Sequence, residues 1–134
     1  MSSLMHALYP AGREFHARQR GRRIGRVDEE CCEVVITADD ADWLADFTRA
    51  LVEQRLAACG HLANPIRSVY RWAGAVHDEV EARVALHTRR SLVQAIVART
   101  TQQHLYDVPC VLALPVVGGN PEYLRWILDQ TEAG

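Results

Sequence analysis

The sequence predicts an α+β fold of the ferredoxin-like type, βαββαβ with a long hairpin between its second and third strands and a further C-terminal helix. Three observations predict it. An apolar run at 32–37, CEVVIT, leads into a segment with helical periodicity. Alternation then persists from residue 66 to residue 87, broken at Ala73-Gly74. A second helical segment is followed by another apolar run at 110–116, CVLALPV. This order is the split βαβ arrangement, and the right-handed crossover preference places strands one and three in the centre and strands two and four at the edges.

Each element follows from local chemistry. The first strand is apolar at both parities, the pattern of a strand covered on both faces. Asp39 or Asp40 can cap the next helix by accepting its free N–H groups. Leu44, Phe47 and Leu51 mark its buried face, with Ala50 beside them, and it ends near Arg55 or Leu56. In the second strand Ile66, Tyr70 and Trp72 share one face while Arg67, Val69 and Arg71 share the other. After the reversal at Ala73-Gly74, Val76, Val80, Ala82, Val84 and Leu86 alternate with His77, Glu79, Glu81, Arg83, Ala85 and His87. The hairpin is therefore expected to have one apolar and one charged face. Ser91 is the expected cap of the second helix, whose stripe is Leu92, Ala95 and Ile96 and whose end lies near His104. Asn120-Pro121 opens the last helix, a cap residue followed by proline where a missing N–H costs nothing. Tyr123, Trp126 and Ile127 fall on one side of that helix.

The chain has 134 residues, 49% of them apolar, which fits one domain with a single core. We read residues 31–134 as that domain and residues 1–30 as an Arg-rich tail. Within residues 1–26, Arg13, Arg18, Arg20, Arg22, Arg23 and Arg26 stand against Glu14 alone, so this stretch is basic and the remainder acidic within a formal charge of −2. Every basic side chain apart from histidine is arginine. Arg-rich N-termini also read as transit peptides or nucleic-acid-binding arms. Pro10, Gly12, Gly21 and Gly25 oppose a helix, however, and a disordered extension is the expectation. No apolar run approaches the roughly 20 residues of a membrane span. The expectation is a soluble cytoplasmic protein without nucleic-acid or membrane partners.

Cys31, Cys32, Cys59 and Cys110 match no zinc spacing, and there is no C-x-x-C. Cys31, Cys32 and Cys59 read as buried thiols of a reducing compartment.

Several motifs then agree in order and spacing: RLAAC at 55–59, Asn64-Pro65, Ser-x-Tyr-x-Trp-x-Gly at 68–74, Glu-x-Glu at 79–81, His-x-Tyr-Asp-Val-Pro at 104–109 and Asn-Pro-Glu-Tyr-Leu-x-Trp at 120–126. Together they resemble the CutA family of divalent-cation tolerance proteins, from about Cys32 to about Thr131. The resemblance implies a homotrimer in which edge strands pair across subunits. That answers a conflict in the sequence, because Val111, Leu112, Ala113 and Leu114 are apolar at both parities on a strand expected at an edge, where exposure invites aggregation.

The resemblance also implies copper, or another divalent cation, as a ligand. The family's copper positions are a strand-end cysteine, one or two consecutive histidines and a glutamate after the late proline. Here they carry Ile36, Gln103 with His104, and Cys110, and Leu105 replaces the proline after the histidines. His104 is thus the expected principal metal ligand and Cys110 a second, since imidazole and thiolate both suit copper. Independently, Glu79 and Glu81 lie two apart on a strand and face the same way, as a cation site or an acid–base pair requires, although a solvated sheet face gives the same pattern. Tyr70, Trp72, Glu79, Glu81 and Tyr106 are the residues expected to line a cleft that binds a metal ion or small ligand.

No G-x-S-x-G, phosphate loop or H-E-x-x-H occurs, and Val116-Val117-Gly118-Gly119 lacks the full phosphate-binding pattern. The expectation is a binding protein and not an enzyme. Two alternatives remain open: a PII-like signalling trimer that binds a small effector, and a small isomerase of ferredoxin-like fold.

Overall fold

The computed structural model of the protein describes residues 30–132, so residues 1–29 of the Arg-rich tail lie outside the described residues. Strand β1 (Cys31–Ala38) leads to helix α1 (Ala41–Glu53), strands β2 (Cys59–Trp72) and β3 (Ala75–Arg89), helix α2 (Val93–Gln103), strand β4 (Val111–Pro115) and helix α3 (Pro121–Gln130). The sheet order is β2-β3-β1-β4, with all neighbours antiparallel, so the expected centre and edges are found.

Alternation along β1 sends Val34, Ile36 and Ala38 to one face. There they meet Leu44, Phe47 and Leu51 of α1, Ile96 of α2 and Ala82, Val84 and Leu86 of β3. Removal of this apolar surface from water is the main stabilising term of the fold. Gly60 brings β2 close under α1, for a Cβ there would stand 2.4 Å from the Thr48 methyl. Cys31, of opposite parity, packs with Leu124, Trp126, Ile127 and Leu128 of α3 at the start of β1. Arg89 ties this helix down by donating to the carbonyl of Leu128 and the hydroxyl of Thr131, satisfying its C-terminal acceptors.

Most element ends follow the sequence reading. Asp40 caps α1 by accepting from the Trp43 N–H at 3.0 Å, and Asn120 caps α3 by accepting from the Glu122 N–H at 3.0 Å. Helix α1 ends earlier than expected because Arg55 takes a left-handed φ of 62° and the Leu56 N–H bonds the Leu51 carbonyl. Ser91 is not a cap. It lies in a 3-10 turn, Arg90–Leu92, and the Val93 N–H is satisfied by the Arg90 carbonyl instead. Ala95 is exposed, and Thr100 completes the buried side of α2 beside Ile96.

The hairpin departs most from expectation. Ala73 and Gly74 have φ of 51° and 80°, the primed turn that matches the twist of a two-residue hairpin. Beyond the core, Ile66 lies opposite Glu81, Ser68 opposite Glu79 and Tyr70 opposite His77. The apolar positions of β2 thus share a face with the charged positions of β3, and the hairpin does not sort into an apolar and a charged side. The two-residue turn is the reason, since it sets Trp72 opposite Ala75 and so pairs even-numbered positions of β2 with odd-numbered positions of β3; a bulge interrupts this register only nearer the core. Between Ala63 and Ile66 the strand carries Asn64 and Pro65, joined by a cis bond, against Ala82 alone on β3. Proline, which has no N–H to give the ladder, fits such a position.

Candidate functional site

Past the bulge, phenols and carboxylates form a row. Tyr70 donates its hydroxyl to Glu79 Oε2 over 2.8 Å, and its ring stacks on His77 with centroids 5.2 Å apart. One position inward, Tyr106 reaches from the loop after α2 and donates to Glu81 Oε2 over 3.0 Å. Both phenols are held in their protonated forms. The hydrogen bond to Glu79 raises the Tyr70 pKa, and burial followed by the bond to Glu81 raises that of Tyr106. Trp72 stands exposed at the hairpin tip. An open depression beside the row is lined by Pro65, Ile66, Arg67, Asp78, Glu79 and Val80. The structure therefore links Tyr70 to Glu79 and Tyr106 to Glu81, and leaves Trp72 at the end of the same hairpin.

His104 is placed differently from the reading as principal ligand. Its Nδ1 accepts from the Tyr106 N–H at 3.0 Å, so Nε2 carries the proton and donates to the Thr37 carbonyl at 2.8 Å. Trp43 packs edge-on against the ring at 5.0 Å. With Nδ1 held by a backbone N–H and Nε2 donating to a backbone carbonyl, the ring in this arrangement offers a cation no lone pair. The sequence could not show this, since Thr37 is distant along the chain. Cys110 is exposed just before β4.

A second cluster lies at the other end of the hairpin, where β2 begins. Cys59 pairs directly with His87 across the ladder, and His61, two residues on, projects to the same side. Cys59 Sγ is 3.6 Å from His87 Nδ1 and 3.3 Å from the Tyr123 hydroxyl, which also bonds His87 Nδ1. The rings of His61 and His87 meet edge-on at 5.1 Å. Glu33 of β1 holds the far nitrogen, with Oε2 at 2.9 Å from His87 Nε2. The Cys59 sulfur and then Glu33 raise the His87 pKa against the opposing effect of burial. Cys59 is thus half-buried among polar partners and is not the inert core thiol expected. Drawing the ladder back regularly from Ala73-Gly74 pairs Cys59 with Thr88, and the bulge is what brings it to His87.

A four-stranded antiparallel sheet with two helices on one face, and a hairpin that outruns its own core, defines a ferredoxin-like α+β protein with an extended β2–β3 arm. The chain belongs to the CutA1 divalent ion tolerance protein family, whose model matches residues 32–130. The divalent-cation tolerance protein CutA of Pectobacterium atrosepticum is 37% identical over 103 residues, 75% of this chain and 94% of its own length. Mouse protein CutA is 37% identical over 109 residues, 81% of this chain and 62% of its own length. The chain thus spans less than two thirds of that mammalian relative. Among solved structures, CutA1 from Oryza sativa matches with a TM-score of 0.76 at 32% identity, covering 81% of this chain and 99% of its own. The divalent cation tolerance protein of Thermus thermophilus gives 0.74 at 34%, covering 76% and 99%.

Proposed function

We propose that this chain acts as a non-catalytic homotrimer that binds a metal ion, copper or another divalent cation, or a small ligand in clefts between subunits, and so serves divalent-cation tolerance. One observation carries the reading: the phenol–carboxylate row lies on an arm whose apolar side chains are uncovered in a single chain. Val69, Val76 and Val80 are exposed on the hairpin, and Leu112 and Leu114 of β4 are 62% and 47% exposed. β2 and β4 are the two edges of the sheet. Pairing the β4 edge of one subunit with the β2 edge of the next uses both, and such a head-to-tail contact closes into a ring when the rotation allows. Three subunits is the number that the family resemblance implies. In that assembly Tyr70, Trp72, Glu79, Glu81 and Tyr106 face a neighbour, and the carboxylates supply the hard oxygen donors that divalent cations take.

Light scattering coupled to size exclusion, with calorimetric titration of divalent cations into the native protein and a Glu79→Gln, Glu81→Gln variant, tests both halves. A trimer whose cation binding weakens in the variant is the expected result. A monomer at micromolar concentration overturns the assembly, and equal binding by the two proteins overturns the cleft.

A further inference from the structure

We propose that Cys59, His61 and His87 form a second, intrachain site for a thiophilic closed-shell cation, Zn(II) or Cu(I), separate from the phenol–carboxylate row. Their donor atoms, one sulfur and two ring nitrogens, all lie within 4.8 Å of one another. A tetrahedral ion with metal–sulfur bonds of about 2.3 Å and metal–nitrogen bonds of about 2.0–2.1 Å holds its sulfur and nitrogen donors about 3.5 Å apart. Cys59 Sγ and His87 Nδ1 already stand at 3.6 Å. His61 is exposed on the edge strand, so a rotation of its side chain closes the set without disturbing the core. The mixed thiolate and imidazole set favours zinc or copper over magnesium or calcium, which prefer oxygen.

Glu33 is the independent observation. Its carboxylate bonds the His87 nitrogen that faces away from Cys59, at 2.9 Å, and so directs the other nitrogen's lone pair at the cluster. A carboxylate behind a ligating histidine is the usual outer support of a metal site, where it fixes the tautomer and strengthens the ligand. The Tyr123 hydroxyl contacts both the sulfur and His87 Nδ1 from one side. It keeps the two donors together while no ion is bound, and water or this hydroxyl takes the remaining position when one is. The site rests on the metal-handling role proposed above for its physiological meaning, but its geometry does not depend on the cleft or on assembly.

The test uses the full, reduced chain under anaerobic conditions, titrated with Zn(II) and Cu(I) against competing chelators and with Co(II) as a spectroscopic probe. One equivalent per chain and a near-ultraviolet sulfur-to-cobalt charge-transfer band are expected. Cys59→Ser should remove that band, and His61→Ala and Glu33→Gln should each weaken binding by about 10- to 100-fold. His61→Ala changes an exposed residue and keeps the test valid if the cysteine variant misfolds. The stronger of the two competed affinities identifies the cation. Affinity and charge-transfer band unchanged by Cys59→Ser or His61→Ala overturn the site, and so does the absence of any thiolate band in the native protein. Binding that survives these changes but falls in Glu79→Gln, Glu81→Gln places the ion in the cleft, overturning this site and keeping the earlier reading. The reverse pattern does the opposite.

Discussion

His104 donates from Nε2 to the carbonyl of Thr37, 67 residues earlier, and so locks the loop after α2 to the end of β1. The same ring accepts from the Tyr106 N–H. His104→Ala therefore removes two part-buried hydrogen bonds and a packed ring, and should cost about 2–3 kcal/mol of stability. Denaturant melts would show this. Copper affinity measured with a competing chelator should stay near native in any variant that remains folded, and a selective loss of copper with native stability would restore His104 as a ligand.

Leu112 and Leu114 point away from the packed core, so Leu112→Glu with Leu114→Glu should leave the single-chain fold intact. The added charges should instead block burial of β4 against a neighbour. Light scattering is expected to shift from trimer towards monomer, with the far-ultraviolet dichroism preserved. A trimer that persists would mean that β4 takes no part in assembly.

His87 has its pKa raised, first by the Cys59 sulfur and then by Glu33. A raised value in the folded state means that the protonated ring is favoured by folding. In the metal-free protein this contribution is fully present below the ordinary value of 6.5 and is lost as pH rises through the higher folded value. Ring-proton NMR should find the His87 midpoint above the ordinary value, and Cys59→Ser should lower it. A midpoint at or below the ordinary value would refute the arrangement.

Ala73 occupies the left-handed region with φ of 51°, where a β-carbon crowds the backbone. Ala73→Gly relieves that strain but frees the unfolded chain, and the net gain should be about 0.5–1 kcal/mol. Ala73→Asn should gain similarly without the entropy loss. Thermal melts of the two variants check this, and destabilisation by both would show that the turn differs.

What could be read from the sequence was whatever depends on neighbours along the chain. Asp40 and Asn120 cap helices through N–H groups two or three residues away, and the turn at Ala73-Gly74 is set by two residues. The order of strands followed from topology and handedness, and the Tyr70–Glu79 pair lies on a hairpin whose turn was visible. The commitment of His104 rests on Thr37, and the Cys59–His61–His87 cluster rests on a register that counts one residue more on β2 than on β3. The first leaves no local mark, and of the second only the Cys59-x-His61 spacing is visible along the chain, while strand pairing supplies His87 from 28 positions away.

Asn64 and Pro65 together face one residue, so one of them is surplus to the pairing of the ladder. Excising Asn64 would leave Cys59 across from His87 and Tyr70 across from His77, every partnership of the arm conserved. What would vanish is the local bend and added twist that a bulge gives its strand. The surplus residue is then an aiming device: it sets the direction in which the arm leaves the body, and a shortened chain should keep its fold while its arm misses the neighbour that the proposed trimer would give it.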